Sequence, residues 1–496
     1  MTDTALLPGA VTPEPHPDAP SSPEHLTDPV RSRPPWMPGL WDAVRRRRFA
    51  LCMAAVVVVV GILYTFFWDL LVYGNSSWVD PSDMWGVFRG AHYVGWGYLG
   101  GVYNQDTGMV TFPGIAVLLA PAAVVSDWLH LSASIPLYAL PHPTAQLLVS
   151  PLEIVFASTA VVGADALADA LGASRSRRRW SVVAVAVVAW PTACVWGHAE
   201  DALVMTLFLY AMVAVLRGNW RRAGWLLGIG IVIQPLIALT VPVFLASTPR
   251  GGRLWFAVRC SVVSAFLVGV AVAGNPRDAY RALVQQPTPP AMNHPTPWVA
   301  LAPHLRIHSI YSGDSTISSI RGSHLFRSVG VATQHQLQVS GGTGRTIYVV
   351  LALLLGLCVW RRPQPPVRLL WVAALVLAGR CCFEAVMTPY YLAPPLILLL
   401  VLAARTDARR LAGSIAVALG ISWFAYWRFS PWVWWTPIVC GLVALLALTY
   451  PADPALPSGS GPSAEPDGAR RRHGPDEDAG HRSGIGTQGG PIPGAS

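Results

Sequence analysis

The sequence predicts an all-α, polytopic membrane protein, and three observations predict it. Hydrophobic residues make up 53% of the 496 positions and charged residues only 12%. A soluble chain of this length would divide into several domains of ordinary composition. Here the apolar residues fall instead in runs of membrane-spanning length. The arginines cluster in short segments between those runs, which is how topology is set. Mean hydropathy is +0.44 even with two polar tails included.

Charge and cysteine usage narrow the class further. The formal net charge is +9, and every basic residue of the Lys+Arg total of 35 is Arg. A nucleic-acid partner calls for a basic face interleaved with aromatic side chains. These arginines sit in loops beside apolar runs, so no nucleic-acid partner is expected. The 7 cysteines, Cys52 to Cys440, all lie within apolar runs and show neither disulfide-framework nor zinc spacing. Cys381 and Cys382 read as packing residues. Residues 1–44 are rich in Pro, Ser and charge and lack an apolar core, so they do not read as a cleavable signal peptide. Residues 451–496 run into Gly and Pro. Both are expected to be disordered cytoplasmic tails around a transmembrane domain at 45–450. No internal repeat is evident.

The elements follow in order from the arginines. Arg45, Arg46, Arg47 and Arg48 precede the first run, about 50–73, and put the N-terminus in the cytoplasm. Clusters at 175–179, 217–222, 249–253, 361–368 and 405–410 belong on the same side. The other runs are 112–130, 144–171, 180–196, 201–217, 223–247, 254–274, 346–360, 369–387, 389–404, 411–427 and 432–449. One crossing per run gives twelve spans and puts the clusters at 175–179 and 217–222 outside. The conflict disappears if two runs make no net crossing. Run 112–130 is broken by Pro113 and Pro121 and leads into SIPLYALPHP, so it lies on or dips into the outer face. Run 223–247 has basic loops on both sides and Gln234-Pro235 at its middle. Proline removes a helical hydrogen bond and clashes with the preceding turn. A broken hairpin returning to the cytoplasmic side follows, its freed backbone buried in protein or facing a wet cavity. The bundle then has about 10–12 transmembrane helices, ten net crossings and both termini inside. Its outer face carries a long amphipathic first loop (74–143), the corner WGHAED (196–201), a second long loop (275–343) and the corners near 388 and 430.

Polar residues at that face are the candidates for chemistry. Asp80 and Asp83 follow the first run, ahead of an aromatic stretch and a Gly-rich turn closing on Tyr103. Tyr and Trp favour the headgroup level, which sets these carboxylates near the water boundary. Asp80 and Asp83 with Pro81 read equally as a solvated turn or a helix N-cap. At WGHAED, Glu200 and Asp201 suit a helix N-terminus electrostatically, which leaves Trp196 and His198 unexplained. Arg380 lies deep in LVLAGRCCFEAVMTPYY, four residues before Glu384 and on the same helix face. An intramembrane arginine is costly and a functional candidate by default; the plain alternative is that the pair neutralise each other while joining helices. Glu153 lies deep in run 144–171 and is placed to face a cavity. Asp165 and Asp169 are expected to pair with the cluster at 175–179, and Arg259 to snorkel toward the cytoplasmic side. His294, His304, His308, His324 and His335 have no metal-ligand spacing, so no metal is expected. A loop of that length reads as a lid or acceptor-binding element.

These features also form an ordered set. An Asp follows the first span, and an amphipathic stretch closes on G-x-Y (Gly101, Tyr103). A Pro-bounded apolar segment comes next (Phe112-Pro113 to Pro121). Then come a polar corner opening a helix (Gly197-His198 with Asp201) and a hairpin with Gly228 and Gln234-Pro235. In this order, over the first half of the chain, they resemble the GT-C superfamily of integral-membrane glycosyltransferases. The likeness is to its polyprenyl-phosphate-mannose-dependent mannosyltransferases, with PYYLAPPLILLL (389–400) as a further echo. The resemblance implies a GT-C-like bundle in the plasma membrane. It also implies inverting transfer of a sugar, mannose, from a polyprenyl-phosphate donor to an outer-face glycan or glycolipid acceptor, without a cofactor. Membrane lipid, donor and acceptor are the implied partners. Asp83 is the implied general base, with Asp80 second. One carboxylate suffices because a phosphate leaves without protonation, whereas a glycosidase needs a second carboxyl. His198, Glu200 and Asp201 would shape the sugar or phosphate site, and Tyr103, which closes the first-loop motif, is an implied substrate-binding residue with them. Gln234 stands where the family often has Lys, so Arg380, beside Glu384, is the candidate cation for the phosphate. Two alternatives stand: a transporter or lipid-linked-sugar flippase, which interrupted helices suit, and a catalytically inactive GT-C relative.

Overall fold

The computed structural model describes residues 37–73, 82–104, 107–131, 144–288, 294–305, 338–427 and 429–451. Asp80, His308, His324, His335 and most of both tails lie outside these residues. The described residues are mostly helical: α1 (Met37–Tyr73), α2 (Ser82–Gly95), α3 (Gly114–Trp128), α4 (Gln146–Ala170), α5 (Arg175–Cys194), α6 (Ala199–Leu216), α7 (Trp220–Ile233), α8 (Val241–Ser247), α9 (Arg253–Gly274), α10 (Pro276–Tyr280), α11 (Gly342–Arg361), α12 (Pro366–Phe383), α13 (Ala393–Ala403), α14 (Ala408–Phe424) and α15 (Pro431–Thr449). Among the described residues seven helices are long and apolar enough to cross a membrane: α1, α4, α6, α9, α11, α12 and α15. The protein is thus a helical, multi-pass membrane protein by the length and composition of its helices. α1 begins at Met37, inside the segment that reads as a tail, because Pro38 in a first turn costs no helical hydrogen bond.

Side-chain contacts sort the helix ends onto two faces. On the first, Arg47 of α1 and Arg178 of α5 both reach Asp165 near the end of α4, each at 2.9 Å. Arg178 also pairs with Asp169, so both carboxylates meet the 175–179 cluster that flanks them in sequence. Arg177 donates to Thr406 O just beyond α13. Trp371, near the start of α12, donates to Leu446 O near the end of α15 at 2.9 Å. This is the arginine face. On the opposite face, Trp434 near the start of α15 donates to Ala425 O just past α14 at 3.2 Å. Arg345 at the start of α11 meets Glu384 just beyond α12. Exposed aromatics ring both ends, Trp180, Trp255, Trp360 and Tyr450 at the arginine face and Trp423, Trp427 and Trp432 at the other. Two such belts are the signature of two membrane–water interfaces.

The segment after α6 is a broken hairpin. α7 stops at Ile233, Gln234 is extended (φ −141°, ψ 109°), and a 3₁₀ turn at Pro235–Thr240 leads into α8. Pro235 supplies no N–H and so ends α7 there. Trp220 at the start of α7 packs on Phe256 at the start of α9. Arg253, just after α8, stacks over Trp360 at the end of α11, 3.7 Å from its ring centre. Both feet of the hairpin therefore stand on the arginine face, and its tip at Gln234 reaches the start of α6.

α2 and α3 pack side by side before α4. His92 of α2 and Trp96 just beyond it hold Asp127 of α3 at 3.3 and 2.7 Å. Pro113 precedes α3, and Pro121 is accommodated inside it. Gly114 lies against the Val232–Ile233 backbone at the hairpin tip. The turn after α2 meets the end of α9 backbone to backbone; a Cβ at Gly100 would sit 3.0 Å from Gly274 Cα. Asn275 then donates to Asn104 Oδ1 at 2.9 Å.

Burial separates centre from rim. Of the apolar stretch of α6, 78% is buried, against 28% for α1 and α11 and 22% for α9. All of α13 is buried, and Ser181 of α5 donates to Leu400 O of α13 at 2.9 Å. The hydroxyls of Thr159 in α4 and Thr206 in α6 meet at 2.7 Å. α6 and α13 are thus the axis around which the rest packs, and the start of α6 opens the candidate site.

Candidate active site at the start of α6

The corner between α5 and α6 forms because Gly197 takes a left-handed backbone (φ 66°) that other residues avoid. Its N–H and that of His198 close onto Ala193 O and Thr192 O at 3.0 and 2.7 Å. His198 is then the first non-helical residue before α6, and Glu200 and Asp201 fall in the first turn. Carboxylates there meet the positive end of the helix dipole. All three side chains point into the protein.

His198 Nδ1 lies 2.6 Å from Glu200 Oε1. Its ring is stacked on Tyr390, with centres 3.9 Å apart and planes at 22°. Tyr390 belongs to the 3₁₀ turn Pro389–Leu392 that opens α13. Trp196 packs against both Tyr390 and Tyr426. Asp201 is 1% exposed. Its Oδ1 accepts from Gln234 Nε2 at 3.0 Å, and its Oδ2 is buried without a hydrogen-bond partner among the described residues. The break in the hairpin thus delivers an amide to this carboxylate. Glu153 of α4 is buried as well, within electrostatic range of Glu200 and His198.

A second charged set faces this one. Arg380, in the last turn of α12, lies 3.9 Å from the centre of the Tyr391 ring and 3.6 Å from Glu384 Oε2. Arg345 Nε donates to Glu384 Oε1 at 3.1 Å. Tyr390 and Tyr391 are neighbours in the chain, so the His198 ring and the Arg380 guanidinium rest on two adjacent side chains of one turn. Described residues of the second long loop are fastened to the segment that follows Arg380. Thr296 Oγ1 donates to Glu384 O at 2.6 Å, and Trp298 Nε1 to Cys382 O at 2.9 Å. His294 and Pro295 pair antiparallel with Met387 and Val386. This anchored stretch, 294–305, lies against the end of α12 that carries Arg380 and Glu384.

The structure brings together His198, Glu200, Asp201, Gln234, Arg380 and Glu384 from three distant parts of the chain. Asp83 lies in the first turn of α2; its side chain, like all of Asp80, is outside the described residues. The helix packs mainly on α3, and through it shares one buried cluster with Val149 of α4 and Val232 and Ile233 of α7. Those helices carry Glu153 and lead to Gln234. Tyr103 lies apart from the cluster. Its hydroxyl donates to Thr111 O at 3.0 Å within the packing of α2 and α3. Burial raises this phenol well above its ordinary pKa, so it stays neutral and pins the turn.

Arg345 and Tyr390 are the residues that sequence reasoning missed. Arg345 stands one residue before the apolar run at 346–360 and reads as a loop arginine, although α11 has already begun at Gly342. Its signal was an arginine outside the cytoplasmic clusters. His198, Glu200 and Asp201 also each bring a ligand atom within 4.8 Å of the other two. Three neighbours in one corner escape a search for spaced histidines. Compared with protein families and with curated proteins, the chain matches no family model and no curated protein.

Proposed function

We propose that the chain is a GT-C-type membrane glycosyltransferase that moves a sugar, mannose, from a polyprenyl-phosphate donor to a glycan or glycolipid acceptor at the outer face. One observation carries this reading: about the adjacent Tyr390 and Tyr391 stand a guanidinium group (Arg345 and Arg380, paired with Glu384) and a carboxylate–imidazole group (Glu200, Asp201, His198). A sugar phosphate has the matching pattern. Guanidinium groups bind phosphate oxygens through paired N–H donors, and carboxylates accept from sugar hydroxyls. Arg380 with Arg345 supplies the charge that Gln234 lacks. The arginine face is cytoplasmic, the bundle makes ten net crossings of the plasma membrane, and the cluster opens outside.

In the proposed reaction the acceptor hydroxyl oxygen bonds to the anomeric carbon as the bond from that carbon to the phosphate oxygen breaks. Asp83 takes the hydroxyl proton, polyprenyl phosphate leaves, and the anomeric configuration inverts. Purified protein in nanodiscs, given polyprenyl-phosphate mannose and a glycolipid acceptor, tests this. Asp83→Asn should lower turnover by about 10²–10⁴-fold, the usual contribution of a positioned base. Undiminished turnover would remove Asp83 from the mechanism. The broken hairpin favours a second reading, translocation of a lipid-linked sugar. Movement of the donor across proteoliposomes with no transfer to acceptor would select it.

A further inference from the structure

Glu153, Glu200, Asp201 and Glu384 are each no more than 3% exposed. Arg345 and Arg380 pair with Glu384, and His198 with Glu200. Among the described residues no cation pairs with Asp201, whose hydrogen-bond partner is the neutral amide of Gln234. A cation bound beside Asp201 would compensate it.

The geometry offers it a place. His198, Glu200 and Asp201 hold ligand atoms within 4.8 Å of one another. Ligands each roughly 2.0–2.2 Å from one ion lie at most about 4.4 Å apart, so small side-chain adjustments complete the set. Asp201 Oδ2 is a separate indication. It is a buried oxygen with no hydrogen-bond partner among the described residues, and such atoms are rare in folded proteins. The side chain cannot swing to find a partner, because Gln234 holds Oδ1 at 3.0 Å. Tyr390 fixes the imidazole plane by stacking. Metal ligands are held in this way by their neighbours.

We propose that His198, Glu200 and Asp201 bind one divalent transition-metal ion, with Glu153 as the adjoining carboxylate. An imidazole with carboxylates suits Mn²⁺ or Zn²⁺ better than the all-oxygen preference of Ca²⁺ or Mg²⁺. The ion would sit across the cluster from Arg345 and Arg380, where it meets any anionic group bound between them. This inference does not rest on the transferase reading, since metal binding stands or falls without turnover.

The test uses the full chain in detergent micelles, stripped with EDTA and titrated with Mn²⁺ under electron paramagnetic resonance. One Mn²⁺ per chain is expected, displaced by Zn²⁺. Asp201→Asn and His198→Ala should each weaken binding by at least ~10–100-fold, while Asp407→Asn on the arginine face leaves it unchanged. Spin-echo modulation of the wild-type complex should show nitrogen coupling from the His198 imidazole, a readout that does not depend on a variant folding. Fewer than ~0.1 Mn²⁺ or Zn²⁺ per chain, equal binding in all variants, or no nitrogen coupling would overturn the proposal.

Discussion

Asp201 and Gln234 show how one hydrogen bond can fix the meaning of a substitution. Glutamine at the hairpin tip supplies no charge, but it gives Asp201 Oδ1 an amide donor at 3.0 Å. With Oδ2 already lacking a partner among the described residues, loss of that amide would leave a buried carboxylate with no donor. Leaving such a group unsatisfied costs about 1–3 kcal/mol, more when it is charged. Gln234→Leu should therefore lower the thermal midpoint in detergent, whereas Gln234→Lys, which restores a donor and adds a counter-charge, should not. A midpoint unchanged in the leucine variant would mean that Asp201 finds another partner. At this scale the sequence was partly legible. His198, Glu200 and Asp201 stood out because polar residues at the end of an apolar run demand a reason. The convergence of Arg380 and His198 on the neighbouring Tyr391 and Tyr390 did not, because it depends on how α12, α13 and the start of α6 pack, and no local pattern encodes that.

The elements divide by the physics that specifies them. The hairpin was legible because two constraints coincide: arginines at both of its ends and a proline at its middle. The helix ends of α1 and α11 were not. Apolar runs mark where the chain meets lipid, while helices extend beyond the lipid as far as capping and propensity allow. Arg345 was missed for that reason. The pairing of α2 with α3 was legible only as an amphipathic segment; the side chains that hold it, His92, Trp96 and Asp127, are separated by a loop. Tyr103 secures that loop through Thr111 O. Tyr103→Phe keeps the ring and removes one buried hydrogen bond, a loss of about 0.5–1.5 kcal/mol. The variant should melt earlier and retain its activity. The tyrosine also sets an alkaline limit. Its phenol ionises near pH 10 in the unfolded chain but at a higher pH in the folded one. Above pH ~10 the unfolded state binds fewer protons, so stability falls as pH rises. The phenylalanine variant should lose part of that slope.

On the scale of the whole molecule, topology carries the argument. The contacts at Asp165 and at Trp371 set one group of helix ends on the arginine face. The polar corner, the Arg345–Glu384 pair and the anchored loop stand at the other ends. A sugar phosphate and its acceptor would meet there only if that face looks out of the cell. Impermeant maleimide labelling of His198→Cys in intact cells, with the native cysteines replaced by serine and Gly218→Cys on the arginine face as the counterpart, tests this most directly. The account predicts labelling of position 198 before permeabilisation and of position 218 only after it; the reverse pattern would contradict it.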